Sequence, residues 1–226
     1  MSYIFSDQQS KLSSLLGDSN TGTDDMFPIA QRKKEINRGE MRFCADTKLV
    51  RERATGTISS AQIAWPSDCL EPYLLIVNNS VITGDREVSI KDYERYYNYG
   101  GTPPFYYITE ESGVRYFKFF GTSTGLAYIL YYFKKPSTEL SSDSDTSILP
   151  EEYREASVYY AASQLMSQIG KNEIADRYLQ IYLGLVKEAS AYAERFYVDK
   201  NYAVPDFNHI DNNTTDVQGG GFDYGS

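Results

Sequence analysis

The hydrophobic period of the chain changes twice, and this limits the fold more than any single motif. Apolar residues recur at helical spacing up to about residue 50, lose it from about Ala54, and regain it after Pro150. Such a pattern predicts helices at both ends of the chain with a β-rich insert between them. At the first end, residues 6–17 predict a short helix on Leu12, Leu15 and Leu16, capped by Ser6 or Asp7 and stopped by Gly17. Asp18–Thr23 is a polar loop. Asp24 or Asp25 then caps a second helix with Pro28 in its first turn. Ile29, Ile36 and Phe43 recur every seven residues, flanked by Ala30, Met41 and Cys44. Lys33 and Glu40 interrupt that face, which is therefore expected to be partly a contact surface.

In the middle, β-branched and aromatic residues take over. Tyr73–Val77 is a strand-length apolar run followed by the turn signal Asn78-Asn79. Val81–Ile82 and Glu87–Ile90 flank Thr83-Gly84-Asp85 as a hairpin, and Asp92–Asn98 is a brief helix. Phe105–Thr109, Val114–Phe120 and Leu126–Lys134 follow as three antiparallel strands with turns at Glu110–Gly113 and Gly121–Gly125. In the last of them Ala127, Ile129, Tyr131 and Phe133 point one way, and Leu126, Tyr128, Leu130 and Tyr132 the other. Both faces are apolar or aromatic, so this strand is central in a sandwich or has its second face covered by something else. Pro136, lacking a ladder donor, ends the sheet, and Ser137–Ser147 reads as a polar linker.

Pro150 opens the next helix with Glu151 and Glu152 behind it, the charge sign a helix start favours. Its stripes are Tyr153, Ala156, Tyr160, Gln164 and Val158, Ala161, Leu165, Ile169. Gly170 breaks it. A long helix from about Asn172 to Val198 carries Tyr178, Ile181, Leu185, Ala189, Tyr192 and Phe196, and the short break at Gly170-Lys171 makes the two an antiparallel hairpin. Asp199–Ser226 has five Asp, one Lys and four Gly, punctuated by Tyr202, Phe207, Phe222 and Tyr224, the composition of a tail that orders on a partner. The expected fold is α+β. A helical bundle of two N-terminal helices and a C-terminal hairpin (residues 1–50 and 148–198) carries an inserted antiparallel β-rich domain (51–147) and an extended C-terminal tail (199–226).

Composition excludes several function classes. Of 226 residues only one is His and two are Cys, which rules out a multi-His metal site and a disulfide framework. Cys44 and Cys69 are expected to be reduced, in a protein made in a cytoplasm with no signal peptide and no membrane span. Lys and Arg number 22 against 31 Asp and Glu, a net charge of −9, which argues against gripping nucleic acid with the whole surface. His209 lies in the tail beside Asn208 and Asp211, and no nucleophile elbow, phosphate loop or dinucleotide fingerprint is present. Glu110–Glu111 and Glu151–Glu152 are explained by a turn and a helix start, Arg32, Lys33 and Lys34 by a solvated helix face, and Gly219-Gly220-Gly221 by a hinge. No catalytic residue, cofactor or metal is expected. Tyrosine stands out, at 21 residues. For the β-region set two readings stand: core and sheet packing, or protein interfaces, where tyrosine supplies area at low entropic cost.

The order of parts resembles the head-to-tail adaptor (connector, or head-completion) proteins of tailed phages. Two N-terminal helices, a strand-rich middle ending Tyr131-Tyr132-Phe133-Lys134-Lys135-Pro136, a polar linker and Leu149-Pro150-Glu151-Glu152-Tyr153-Arg154-Glu155-Ala156 carry the likeness over roughly residues 5–198. The β region is longer and richer in tyrosine than a minimal adaptor needs. The resemblance implies a structural virion protein at the head–tail junction: neighbouring copies, commonly twelve, forming a ring under the portal protein. Downstream it would meet a tail nozzle, a fibre or another ring protein, and DNA would pass through an acidic lumen without specific binding. It further implies portal contact through Tyr202, Phe207, Phe222 and Tyr224 of the tail. Ring or portal contact falls to Tyr160, Tyr178, Tyr182 and Tyr192 of the helices, and downstream contact to Tyr96, Tyr97 and Tyr99 of the β region. The competing expectation is a carbohydrate-binding accessory tail or surface protein that uses those last three tyrosines.

Overall fold

The computed structural model describes residues 3–18, 26–82, 87–89, 91, 104–120 and 124–198. Among them the chain runs α1 (Phe5–Leu16), α2 (Ile29–Thr47), β1 (Arg51–Thr57), β2 (Gln62–Ala64), β3 (Cys69–Val77), β4 (Ser80–Ile82), β5 (Tyr106–Glu111), β6 (Val114–Phe119), β7 (Ala127–Lys134), α3 (Arg154–Gln168) and α4 (Asn172–Val198). The fold is α+β with antiparallel sheets. The expected brief helix at 92–98 and the tail lie outside the described residues.

Helix ends follow local chemistry, with three shifts from expectation, one being that Glu151–Tyr153 form a 3-10 turn after Pro150 and α3 starts only at Arg154. α1 is capped at Ile4, not at Ser6 or Asp7. Asp7 lies three residues on, and its carboxylate accepts the Ile4 N–H at 2.9 Å. Gly17, in the left-handed region at φ 76°, closes that helix. Pro28 stands just outside α2 rather than inside its first turn. Asp18 receives the N–H groups of Met26 and Phe27 ahead of it.

α3 is the central helix, packed by α1, α2 and α4. It buries Ala156, Ser157, Val158, Ala161, Ala162, Leu165 and Met166, and its small residues let neighbouring backbones approach closely. One close approach is at Gly39 of α2, where a Cβ would stand 2.5 Å from the Ser157 carbonyl oxygen. One apolar cluster joins Phe5, Leu12, Ile36, Val158 and Leu165. A second joins Phe43, Leu149, Tyr153, Tyr182 and Ala189.

Lys33 and Glu40 do not open the α2 face to partners as expected. Glu40 is 1% exposed and accepts Ser147 Oγ at 2.6 Å and Ile148 N–H at 2.9 Å. Lys33 donates to the Ser141 carbonyl at 3.0 Å and pairs with Asp143. The expected linker is therefore a strap laid across the helices. Asn37 exchanges two hydrogen bonds with the Leu140 backbone, and Phe5 and Ser6 donate their N–H groups to Asp145 O and Asp143 O. Asp145 ties its own turn by accepting the N–H groups of Ser141 and Ser142, which hold its carboxyl below the usual range.

The β residues form a four-stranded sheet, β1-β7-β3-β4, facing a three-stranded sheet, β2-β6-β5. The core between them holds Leu75, Val77, Ile82, Leu130 and Tyr132 from one sheet, and Ile63, Tyr106, Phe117 and Phe119 from the other. β7 is central, as its two apolar faces required. It does not continue a meander from β6, however: it crosses to the other sheet and pairs with β1 and β3. β4 pairs back on β3 across Asn78-Asn79, both left-handed at φ 49° and 63°, the geometry of a two-residue hairpin. The hairpin expected between 81–82 and 87–90 does not form among the described residues. Glu87 instead makes a parallel bridge to Tyr106.

Candidate interaction surfaces

Tyr96, Tyr97 and Tyr99, and Tyr202, Phe207, Phe222 and Tyr224, lie outside the described residues. The four helical tyrosines are placed, in four different settings. Tyr182 is 2% exposed, stacks edge-on to Phe43 and Tyr160, and donates its hydroxyl to Asp46 Oδ2 at 2.8 Å. Burial first, then Asp46, pushes its phenol well above the ordinary range. It has little surface to offer a partner. Tyr178 is half-buried and donates to the Leu15 carbonyl at 2.9 Å, tying α4 to α1. Tyr160 is half-buried and lines a groove of about 620 Å³ between α2 and the start of the strap, beside Arg38, Met41 and Arg42. Tyr192 is 48% exposed on the outside of α4.

α4 presents a face that the expected stripe misplaced. Its buried line is Ala175, Tyr182, Ala189 and Ala193, at seven-residue and four-residue steps. Ile181 and Tyr192, expected on one apolar stripe with Tyr178 and Ala189, are 40% and 48% exposed, and Ile174 joins them at 37%. At 100° per residue these three fall within about 20° of one line, roughly 90° around the helix from the buried line, so they form an apolar stripe along one flank of α4, with Leu183, 45% exposed, on the other. Small residues decide the rotation: alanine lets α4 lie close to its neighbours and turns the bulky β-branched residues outward.

A second patch covers the outer face of the four-stranded sheet. Tyr73 packs on Phe133 and Tyr131 with ring centres 4.8 and 6.2 Å apart. The Arg51 guanidinium lies 5.1 Å from the ring centres of both Tyr73 and Phe133, and Lys48 Nζ lies 5.3 Å over Phe133. Lys48 also pairs with Glu71 at 2.6 Å, fastening the end of α2 to β3. These residues are the half-covered second face that the β7 pattern signals.

The titratable groups have structural roles. Glu110 pairs with Arg115 and Glu111 with Lys118 across the β5–β6 turn. Burial raises the Glu40 carboxyl, and both of its hydrogen bonds hold the strap. Cys44 and Cys69 are buried free thiols, each pushed up to about 12 by burial, so they remain protonated and unreactive. Among the described residues no group of three or more His, Cys, Asp or Glu could hold a metal, and no helix is long and apolar enough to cross a membrane.

The Glu40 hydrogen bonds, the strap and strand β1 escaped the sequence reading. Glu40 within an apolar seven-residue repeat was the one available signal for the first two. A family model described as SU10 adaptor protein matches residues 8–200. No curated protein matches the chain.

Proposed function

The chain belongs to the SU10 adaptor protein family of phage head–tail adaptors, and from that premise we propose that it forms a ring joining the portal to downstream tail proteins. Membership makes it a structural protein of the phage head–tail junction. The family match favours a portal-bound ring, and the exposed stripe Ile174–Ile181–Tyr192 supports it, because a monomer gains nothing by holding such a face in water. In this reading the stripe and the Tyr160 groove meet neighbouring copies or the portal. The helical core (1–50 and 148–198) and the tail (199–226) serve attachment, and the β-rich part (51–147) meets the next tail component. DNA passes through a lumen whose acidic subunits offer few cations to neutralise phosphate.

Deletion of residues 199–226 tests the attachment. The truncated chain is expected to fold with an unchanged unfolding midpoint and to lose binding to isolated portal rings. Unchanged portal affinity would remove the tail from the interface.

A further inference from the structure

β1 is the long edge of the four-stranded sheet. It pairs with β7 from Arg51↔Phe133 to Thr57↔Ala127 without a register shift, and among the described residues no strand pairs with its other side. Other edges are shorter or occupied. β2 and β4 have three residues each, and Val88 donates its N–H to Tyr106 O alongside β5.

Register gives the direction of the free groups. Lys134 N–H donates to Val50 O at 2.8 Å and Ile58 N–H to Leu126 O at 2.9 Å. Even-numbered residues of β1 therefore bond to β7, and odd-numbered ones turn their N–H and C=O away from it. Arg53 shows this directly, since its N–H donates to the carboxylate of adjacent Glu52 at 3.2 Å. Thr55 and Thr57, both exposed, present their backbone groups the same way. Proteins blunt such edges with charged side chains, proline or bulges; Arg51, Glu52 and Arg53 charge the first half of β1, Glu52 on the inner face, whereas Ala54–Thr57 carries none of these devices.

A strand laid here meets two different surfaces. On the outer face it runs beside Arg51 and exposed Arg53, next to Tyr131 and Phe133. On the inner face it meets half-buried Ala54, at the rim of the sandwich core, and exposed Gly56, over which the Tyr128 ring lies. We propose that the β1 edge is a strand-addition site for an extended segment of a partner protein that alternates acidic residues on the outer face with apolar residues on the inner one. Main-chain bonds to Thr55 and Thr57 supply affinity, and the arginines select sign and register. The assignment does not depend on ring formation, because it concerns a backbone edge that each single copy carries.

The test uses the full chain and two synthetic peptides matched in length to β1, one alternating Asp and Val, the other alternating Lys and Val. Residue-resolved amide exchange is read at Thr55 and Thr57. The acidic peptide is expected to slow exchange at both by about tenfold or more, and the basic one to leave it unchanged. Thr55→Pro removes an outward N–H without touching the β7 ladder and should abolish the protection, now read at Thr57 alone because proline has no amide proton, with unchanged exchange at Ala54 showing that the sheet is intact. Arg53→Ala should weaken it. Equal protection by both peptides, no protection by the acidic one, or protection that survives Thr55→Pro overturns the proposal. Concentration-dependent protection of Thr55 and Thr57 in the chain alone also overturns it, in favour of a second copy at the edge.

Discussion

Replacing Gly39 by alanine puts the helix packing under a direct test, because two opposing effects can be sized. Alanine is favoured over glycine inside a helix by about 1 kcal/mol. Against that, the new Cβ would stand 2.5 Å from the Ser157 carbonyl oxygen, 2.9 Å from its Cα and 3.0 Å from its carbonyl carbon. Ordinary carbon contacts lie at about 3.5–4.0 Å, so α2 and α3 must separate by roughly half an ångström or more. The obstacle is backbone of the central helix and has no rotamer to move. Overpacking of this kind costs about 1–3 kcal/mol, and the rigid obstacle places Gly39 at the upper end. The net expectation is a loss of about 1–2 kcal/mol, or about 2–8 °C in unfolding midpoint for a chain of this size. Gly184 of α4 is the control: a Cβ there meets nothing within 4 Å, so Gly184→Ala keeps the helix gain and should stabilise by up to about 1 kcal/mol. Chemical denaturation of both variants, followed by helical circular dichroism, reads the two signs. A Gly39→Ala variant as stable as the wild type, or changes of the same sign at both sites, would refute the close crossing of α2 and α3.

Tyr182→Phe should lose about 1–2 kcal/mol of stability with the Asp46 hydrogen bond, whereas Tyr192→Ala on the exposed stripe should change monomer stability by less than about 0.5 kcal/mol. Equal effects in denaturant titrations would contradict the rotation of α4. Glu40 gives a pH signature. Its folded carboxyl holds a proton more tightly than the unfolded one, so its contribution to stability falls as pH rises from the ordinary value of 4.5 through the raised folded value, and is flat beyond. Midpoints measured from acid to neutral pH should therefore shift in favour of Glu40→Gln as pH rises; a shift toward the wild type would mean that the strap hydrogen bonds outweigh burial. Asp145 has the opposite sign: its lowered carboxyl contributes stability above the ordinary aspartate range and loses it on acidification. Asp145→Asn should then be less stable than the wild type at neutral pH, with the gap closing in acid, and a gap that stays constant with pH would exclude the Ser141–Ser142 turn as its origin.

Features set by a few adjacent residues were legible in the sequence. Gly17 and Gly170 end helices because they reach the left-handed region, Pro136 follows the last strand, and Asn78-Asn79 turns β3 into β4. The alternation in Leu126–Lys134 placed β7 correctly at the centre of a sheet. It could not choose the neighbours of β7, because partner choice belongs to residues about 50–80 positions away. The turn at Ser60-Ala61, left-handed at φ 51° and 55°, has neither Gly nor Asn to announce it. The strap was hidden for another reason: its Ser and Asp residues look solvated until Glu40, Asn37 and Lys33 are brought beneath them. α4 misled because two of its faces are apolar, and only contact with small-residue neighbours decides which one is buried. Of the candidate contacts, Tyr192 is presented to solvent while Tyr182 is used within the subunit, a distinction that composition does not carry.

The central claim is that this chain becomes a ring by engaging a portal. The most direct measurement is particle mass in solution for the purified chain, for isolated portal rings, and for the two mixed. The account predicts a portal complex heavier by a fixed whole number of chains, one for each site around the ring. A mixture in which portal and chain keep their separate masses at concentrations well above those in an infected cell would contradict it.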